Sequence, residues 1–384
     1  MIPYGRQSVN EQDIAAVVDV LRSDWLTQGP AVPLFEDRVR KQAGAAHAVA
    51  CNSATSALHV ACLALDVGPG DCVWTSPNTF VASANCARYC GADVDFVDID
   101  PRTYNLCADA LAAKLSEAER RGALPKVVIP VHFAGQPCDM QRIHALAQRY
   151  GFKLIEDASH AVGASYQGAP VGDCRLSDIT VFSFHPVKII TSAEGGMALT
   201  NSGELAERMR LLRSHGVTRD ALRMEAPTHE AWYYEQELLG FNYRLPDVLA
   251  ALGASQHCRL GEFVERRRRL AARYDAELAG LPLVLPARDR EGESAFHLYV
   301  VQVADQAGVD RGTVFTRLRA AGVGVNVHYI PVHTQPYYRR LGFKPGMFPH
   351  AERYYRHAIS LPMYAALEDS DLERVVHELR AALH

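Results

Sequence analysis

Lys126-Val127-Val128-Ile129-Pro130-Val131, then Met140 to Tyr150, then Lys153-Leu154-Ile155-Glu156-Asp157-Ala158-Ser159-His160: this stretch decides the fold. A short apolar run, a helix-length amphipathic run and a second short apolar run read as strand, helix, strand. The unit recurs on both sides. Strands are predicted at His47–Cys51, Cys72–Thr75, Asp93–Val97, Ile179–Phe184 and Gly196–Thr200, and helices at Ser56–Leu65, Phe80–Cys90 and Ala108–Arg121. Such alternation predicts an α/β fold, a mainly parallel sheet sandwiched by helices. Ligands of such sheets bind beyond the carboxyl ends of the strands, so the residues just after each strand carry the function.

Further along, Asp220–Glu237 has no clean period and reads as an ordered loop, followed by helices at Pro246–Leu260 and Glu262–Leu278. Pro282–Ser294 reads as a connection into a second unit with strands at Leu298–Val303 and Gly324–His328 and helices at Arg311–Ala321, Ala351–His357 and Ser370–Leu383. The four arginines Arg266–Arg269 lie beside Glu262 and Glu265 and read as a solvated helix face. Composition bounds the rest. The 384 residues carry 40 Lys+Arg against 44 Asp+Glu, a net charge of −4, and 48% are hydrophobic. No positive field exists to attract nucleic acid. No apolar run reaches the length of a membrane span, and the start shows no signal peptide. The nine cysteines are odd in number and unclustered, which fits reduced thiols in a cytoplasmic protein.

Four post-strand positions carry chemistry. Asn52-Ser53-Ala54-Thr55 opens a helix with small residues and hydroxyls, a setting in which backbone N–H groups receive a phosphate. Thr79-Phe80 offers a ring that can stack on a flat ligand. Asp157 closes a strand, where a carboxylate can keep a pyridine nitrogen protonated. Lys188 follows Ser183-Phe184-His185-Pro186-Val187, where desolvation can hold a neutral amine able to form an imine with an aldehyde. Each alone has an ordinary structural reading: an N-cap, a core ring, a surface carboxylate, a solvated lysine. Together they are the parts that hold pyridoxal 5′-phosphate (PLP).

These motifs, in this order and with Glu194-Gly195-Gly196 after them, resemble the DegT/DnrJ/EryC1/StrS family of sugar aminotransferases. The resemblance runs from Arg22–Gly29 through Gly240–Arg244 to Val327–Pro331 and Ile359–Pro362, essentially the whole chain. It implies a fold-type-I PLP-dependent aminotransferase, with a large PLP-binding domain at 1–255 and a smaller C-terminal α+β domain at 256–384. The sequences Leu26–Gly29, Ser183–Lys188 and Val327–Pro331 most resemble the transaminases that make UDP-4-amino-4,6-dideoxy-N-acetyl-β-L-altrosamine in pseudaminic acid synthesis.

By that resemblance Lys188 would carry the cofactor and move the reaction's proton, Asp157 would meet the pyridinium, and Phe80 would stack on the ring. Ala54, Thr55 and Ser183 would hold the phosphate or contact substrate nearby, and His160 would contact the cofactor. Asn242 would reach the neighbouring subunit's site in a homodimer with shared active sites. Tyr4, Asp24, Trp25, Leu26, Thr27, His328, Tyr329, Ile330 and Pro331 would line the sugar-nucleotide site. L-Glutamate would be the donor and a UDP-keto sugar the acceptor. Ile189 and Ala193 replace a His and a Gly common in relatives, next to Lys188. Two rivals are weaker. A metal hydrolase lacks a helical ligand motif among His132, His160, His185, His328 and His333, so no metal is expected. A non-catalytic PLP- or sugar-nucleotide-binding regulator would have no need of the Lys188 and Asp157 pair.

Overall fold

A computed structural model describes residues 1–226, 230–288 and 291–384. Helices α1 (Glu11–Leu21) and α2 (Ala31–Ala43) precede β1 (His47–Cys51). Then come α3 (Ala54–Ala64), β2 (Cys72–Thr75), α4 (Ala82–Tyr89), β3 (Asp93–Phe96), α5 (Ala108–Arg120), β4 (Val127–Ile129), α6 (Met140–Tyr150) and β5 (Lys153–Asp157). A small hairpin, β6 (Ser165–Tyr166) and β7 (Ala169–Pro170), leads to β8 (Ile179–Ser183), β9 (Gly196–Thr200) and α7 (Gly203–Arg213). Local chemistry sets the ends. Ser53 caps α3 by accepting the Ser56 N–H, Asp139 caps α6 by accepting the Arg142 N–H, and Gly151 ends α6 at φ +77, where glycine carries no steric cost.

Seven strands form one sheet in the order β1-β9-β8-β5-β4-β2-β3. Only β9 runs antiparallel to its neighbours. Strands β8 and β9 are buried along their whole length, as expected for a sheet covered on both faces. Alternate residues feed opposite cores. Val49, Ile155 and Val181 pack with α3, whereas Ala48, Ala50 and Phe182 pack with Phe35 of α2.

The remaining elements are β10 (Val217–Thr218), β11 (Glu235–Gln236), α8 (Asp247–His257), α9 (Leu260–Glu277), β12 (Leu283–Val284), β13 (Gly292–Glu293), β14 (Tyr299–Val303), α10 (Arg311–Ala320), α11 (Pro336–Arg340), α12 (Pro349–His357), β15 (Ala358–Leu361) and α13 (Asp369–Ala382). A second sheet, β12-β14-β15, shares a core with α9, α10 and α13. The N-terminus joins it. Ile2 bridges Val323, and the Met363 N–H donates to the Tyr4 carbonyl. Among the described residues, no helix is long and apolar enough to cross a membrane.

Three expectations are corrected. The segment 220–237 is not wholly irregular, because β11 pairs with β10. Gly324–His328 forms no strand. The Val327 N–H turns to its neighbour's Asn326 Oδ1 at 2.8 Å, leaving isolated bridges at Val323 and Asn326. The arginine run is not wholly solvated, since Arg267 is buried and its guanidinium donates to the carbonyls of Phe296, His297 and Met363. Positions 227–229 and 289–290 of the two predicted connections lie outside the described residues.

Candidate active site

Asp157 ends β5, and two neighbours fix that end. The His132 N–H donates to the Asp157 carbonyl at 3.0 Å, and the Asp157 N–H donates to the Pro130 carbonyl at 2.9 Å. The His132 ring also grips the preceding residue, with Nε2 2.7 Å from the buried Glu156 carboxylate. Burial opposes a charged His132 ring, and Cys138 and Glu156 favour it, with the balance above the ordinary value. The Cys138 N–H points at Nδ1 from 3.1 Å, however, so that nitrogen must accept. We therefore assign the neutral Nε2–H ring, donating to Glu156. Ser177 and Thr180 also donate to Glu156. The strand end is thus held from both faces.

Lys188 lies in the loop between β8 and β9. The Ser192 N–H and the Thr191 hydroxyl both donate to the Phe184 carbonyl at 3.0 Å, and the Lys188 N–H donates to the His185 carbonyl at 2.9 Å. The side chain opens onto a cleft but is otherwise surrounded by protein. Desolvation pulls its pKa down to about 8, against the opposing pull of Asp157. Three imidazoles share the region. Burial and the Lys188 charge hold His160 and His297 well below the ordinary histidine range, and His328 falls to about 3 for the same reasons. The His160 Nδ1 accepts the Ala134 N–H, which leaves Nε2–H to donate to the Tyr329 hydroxyl at 3.2 Å.

The cleft holds ≈ 550 Å³. Lys188, Asp157, Ser159 and His160 line it together with Ser53, Ala54, Thr55 and Ser183. Phe80, Tyr329, His328 and Tyr4 line it as well. The rings of Phe80 and Tyr329 lie 6.2 Å apart, and those of Tyr4 and His328 5.6 Å apart.

The profile of the DegT/DnrJ/EryC1/StrS aminotransferase family matches residues 7–380. The chain belongs to this family. It is 40% identical over 383 residues to the Bacillus subtilis spore coat polysaccharide biosynthesis protein SpsC, covering 99% of this chain and 96% of that protein. The Streptococcus pneumoniae sugar aminotransferase Spr1654, solved in a PMP form, superposes with a TM-score of 0.90 at 30% identity, covering 100% of this chain and 99% of that one. Helicobacter pylori PseC, an aminotransferase involved in pseudoaminic acid biosynthesis, matches with a TM-score of 0.90 at 29% identity over the same shares. The family and these neighbours are PLP-dependent sugar aminotransferases of fold type I, and PLP is the cofactor.

The residues of the cleft fit that cofactor. A Cβ on Gly196 would sit 2.4 Å from the Ala54 nitrogen, so glycine lets the start of β9 close against the N-terminus of α3. That N-terminus, with the Thr55 and Ser183 hydroxyls, suits a phosphate. Lys188 and Asp157 supply the amine and the carboxylate in the same cleft.

Of the residues expected from sequence, Tyr4, Ala54, Thr55, Phe80, Asp157, His160, Ser183, Lys188, His328 and Tyr329 line the cleft. Asp24, Trp25, Leu26, Thr27, Ile330, Pro331 and Asn242 do not line it within one chain. Asn242 instead bridges Ser214, next to Arg213, whose guanidinium is bound to Glu36 and the Ala50 carbonyl. Ile189 is packed in the apolar core with Phe35 and Phe184 and does not face the cleft. Ala193 takes a left-handed φ of +63, a conformation that glycine adopts without steric cost. Sequence reasoning missed His297, Asn326 and Ser83. No periodicity marks Ser83, because it lies in the first turn of α4 and its partner Thr79 precedes the helix.

Proposed function

We propose that the protein transfers the amino group of L-glutamate to C4 of a UDP-linked 4-keto-6-deoxy-N-acetylhexosamine, as in pseudaminic acid synthesis, by a ping-pong mechanism. The observation that carries the reading is Lys188, with its depressed pKa, in one cleft with Asp157 and the small-residue start of α3. PLP, when bound, supplies the aldehyde that receives amino groups and a ring that accepts electrons. The chain's own residues do the rest. Neutral Lys188 Nζ would take the proton from the donor's α-carbon and deliver it to the carbon that was the cofactor's aldehyde, with the reverse transfer for the acceptor, since an amine with a pKa near the working pH serves both directions. Asp157 keeps a negative charge opposite the ring nitrogen. Donor and acceptor use the same cleft in turn, which is what ping-pong kinetics requires.

Substrate segments and Asn242 outside the single-chain cleft support a homodimer with shared sites. Trp232 and Leu239, on the chain leading to Asn242, are 72% and 81% exposed, apolar surface that a second copy would cover. The reading places the work in the cytoplasm, where UDP-sugars are made. The likeness to SpsC favours a second reading, another nucleotide-sugar 3- or 4-aminotransferase serving a surface polysaccharide. One experiment separates them. Glutamate-treated enzyme, freed of excess glutamate, is offered UDP-linked 3-keto and 4-keto sugars. A C4-amino UDP-hexosamine identified by NMR supports the proposal. Amination only at C3, or only of a sugar on another nucleotide, contradicts it.

A further inference from the structure

Both oxygens of Asp157 accept hydrogen bonds from the chain itself. Oδ1 accepts the Ser159 N–H at 3.1 Å, and Oδ2 accepts the Ser83 hydroxyl at 2.6 Å. Ser83 has one hydrogen. With that hydrogen on Asp157, its oxygen can only accept from the Thr79 hydroxyl, 2.7 Å away. The competing acceptor, the Phe80 carbonyl, lies at 3.4 Å and is too distant to take the hydrogen from a 2.6 Å contact. The order is therefore Thr79 to Ser83 to Asp157. Both hydroxyls are buried, so bulk water does not substitute for them. Ser83 lies in the first turn of α4 and Thr79 in the segment just before the helix, with Phe80 between them at the cleft.

This arrangement bears on where a proton sits. A carboxylate and a pyridinium out of water face a competing neutral pair, in which the proton has moved from nitrogen to oxygen. Charge-assisted hydrogen bonds to the carboxylate favour the ionic pair, and a chain of hydroxyls polarises along its length. Hydrogen bonds at both oxygens also fix the plane of the carboxylate, and with it the direction of the remaining lone pairs.

We propose that Ser83, backed by Thr79, is a positioning residue that keeps the shared proton on the cofactor's ring nitrogen by holding the Asp157 carboxylate anionic and oriented. The inference requires PLP in the cleft but no particular sugar, so it stands or falls separately from the substrate proposed above. The test loads the protein with PLP labelled with ¹⁵N in the ring and reads two quantities, the ring-nitrogen chemical shift and the PLP dissociation constant. Wild type is expected at the pyridinium position. In Ser83→Ala the resonance moves towards the neutral-pyridine value, and PLP binds about tenfold more weakly, the scale of one charge-assisted hydrogen bond. Ser83→Thr, which keeps the hydroxyl, retains both wild-type readings, and Thr79→Val moves the resonance in the same direction by less. A Ser83→Ala resonance left at the pyridinium position overturns the proposal even if affinity falls, because mere loosening of the helix would do that. If Ser83→Ala does not fold, Thr79→Val decides, and an unmoved resonance there overturns the proposal too.

Discussion

Asp157 and Trp25 mark two differently built regions. Asp157 is buried, both its oxygens are bonded, and its strand end is gripped by His132. Trp25 and Leu26 are half exposed, and the Trp25 backbone is held by local bonds to the Ser23 hydroxyl. The first region is over-determined inside one chain, which is what preorganised catalysis demands. The second is surface that one chain leaves uncovered, where part of the proposed sugar site lies. The reacting groups are thus complete in a single chain, and the groups proposed to select the sugar are not.

Breaking the inner region should cost most. Lys188→Ala is expected to lower transamination on the order of 10⁴-fold, the upper range for a general acid–base group, with the melting temperature little changed. Steady-state rates and a thermal melt check it. His132→Leu leaves the buried Glu156 carboxylate with one donor fewer and should destabilise the fold by about 2 kcal/mol. Urea unfolding would show a lower midpoint with an unchanged slope, and an unchanged midpoint would deny the clasp its role.

The outer region calls for a test of sharing. Inactive Lys188→Ala and Asn242→Ala chains, unfolded together and refolded, should regain about a quarter of wild-type activity if Asn242 serves the neighbour's site, because half the dimers are mixed and each holds one intact site. No recovery would mean that each chain uses its own Asn242.

The pH dependence follows from Lys188. Its folded pKa, about 8, is below the unfolded value, so the unfolded chain binds more protons between the two. The contribution of Lys188 to apo-protein stability therefore rises with pH through that window and is smallest below about 8. The rate of PLP capture, which needs the neutral amine, should climb to a plateau just above about 8. Stopped-flow absorbance with PLP measures it, and Lys188→Met protein should show no such profile. The smallest effect is at Ala193. Glycine relieves a left-handed alanine but adds freedom to the unfolded chain, so Ala193→Gly should stabilise by no more than about 1 kcal/mol.

The sequence was most legible where physics is local. The alternation of short apolar and amphipathic runs predicted the parallel sheet, and residues after β1, β5 and β8 led to Ala54, Asp157 and Lys188. It was least legible where distant segments meet. Nothing in the spacing of His132 and Glu156 announces that the ring of one grips the other, because the register of β4 and β5 brings them together. Ser83 bonds Asp157 across 74 residues of chain. Arg267 reads as one of four exposed arginines until the carbonyls of 296, 297 and 363 are placed around it.

The most direct test of the central claim is the visible absorption of the purified, PLP-loaded protein while L-glutamate is added. The account predicts that the cofactor band of wild type disappears as one equivalent of 2-oxoglutarate is released per site, and that Lys188→Ala protein mixed with PLP shows no such glutamate-driven change at a comparable rate. A wild-type band that persists with excess glutamate, or a Lys188→Ala protein that converts as fast as wild type, would contradict it.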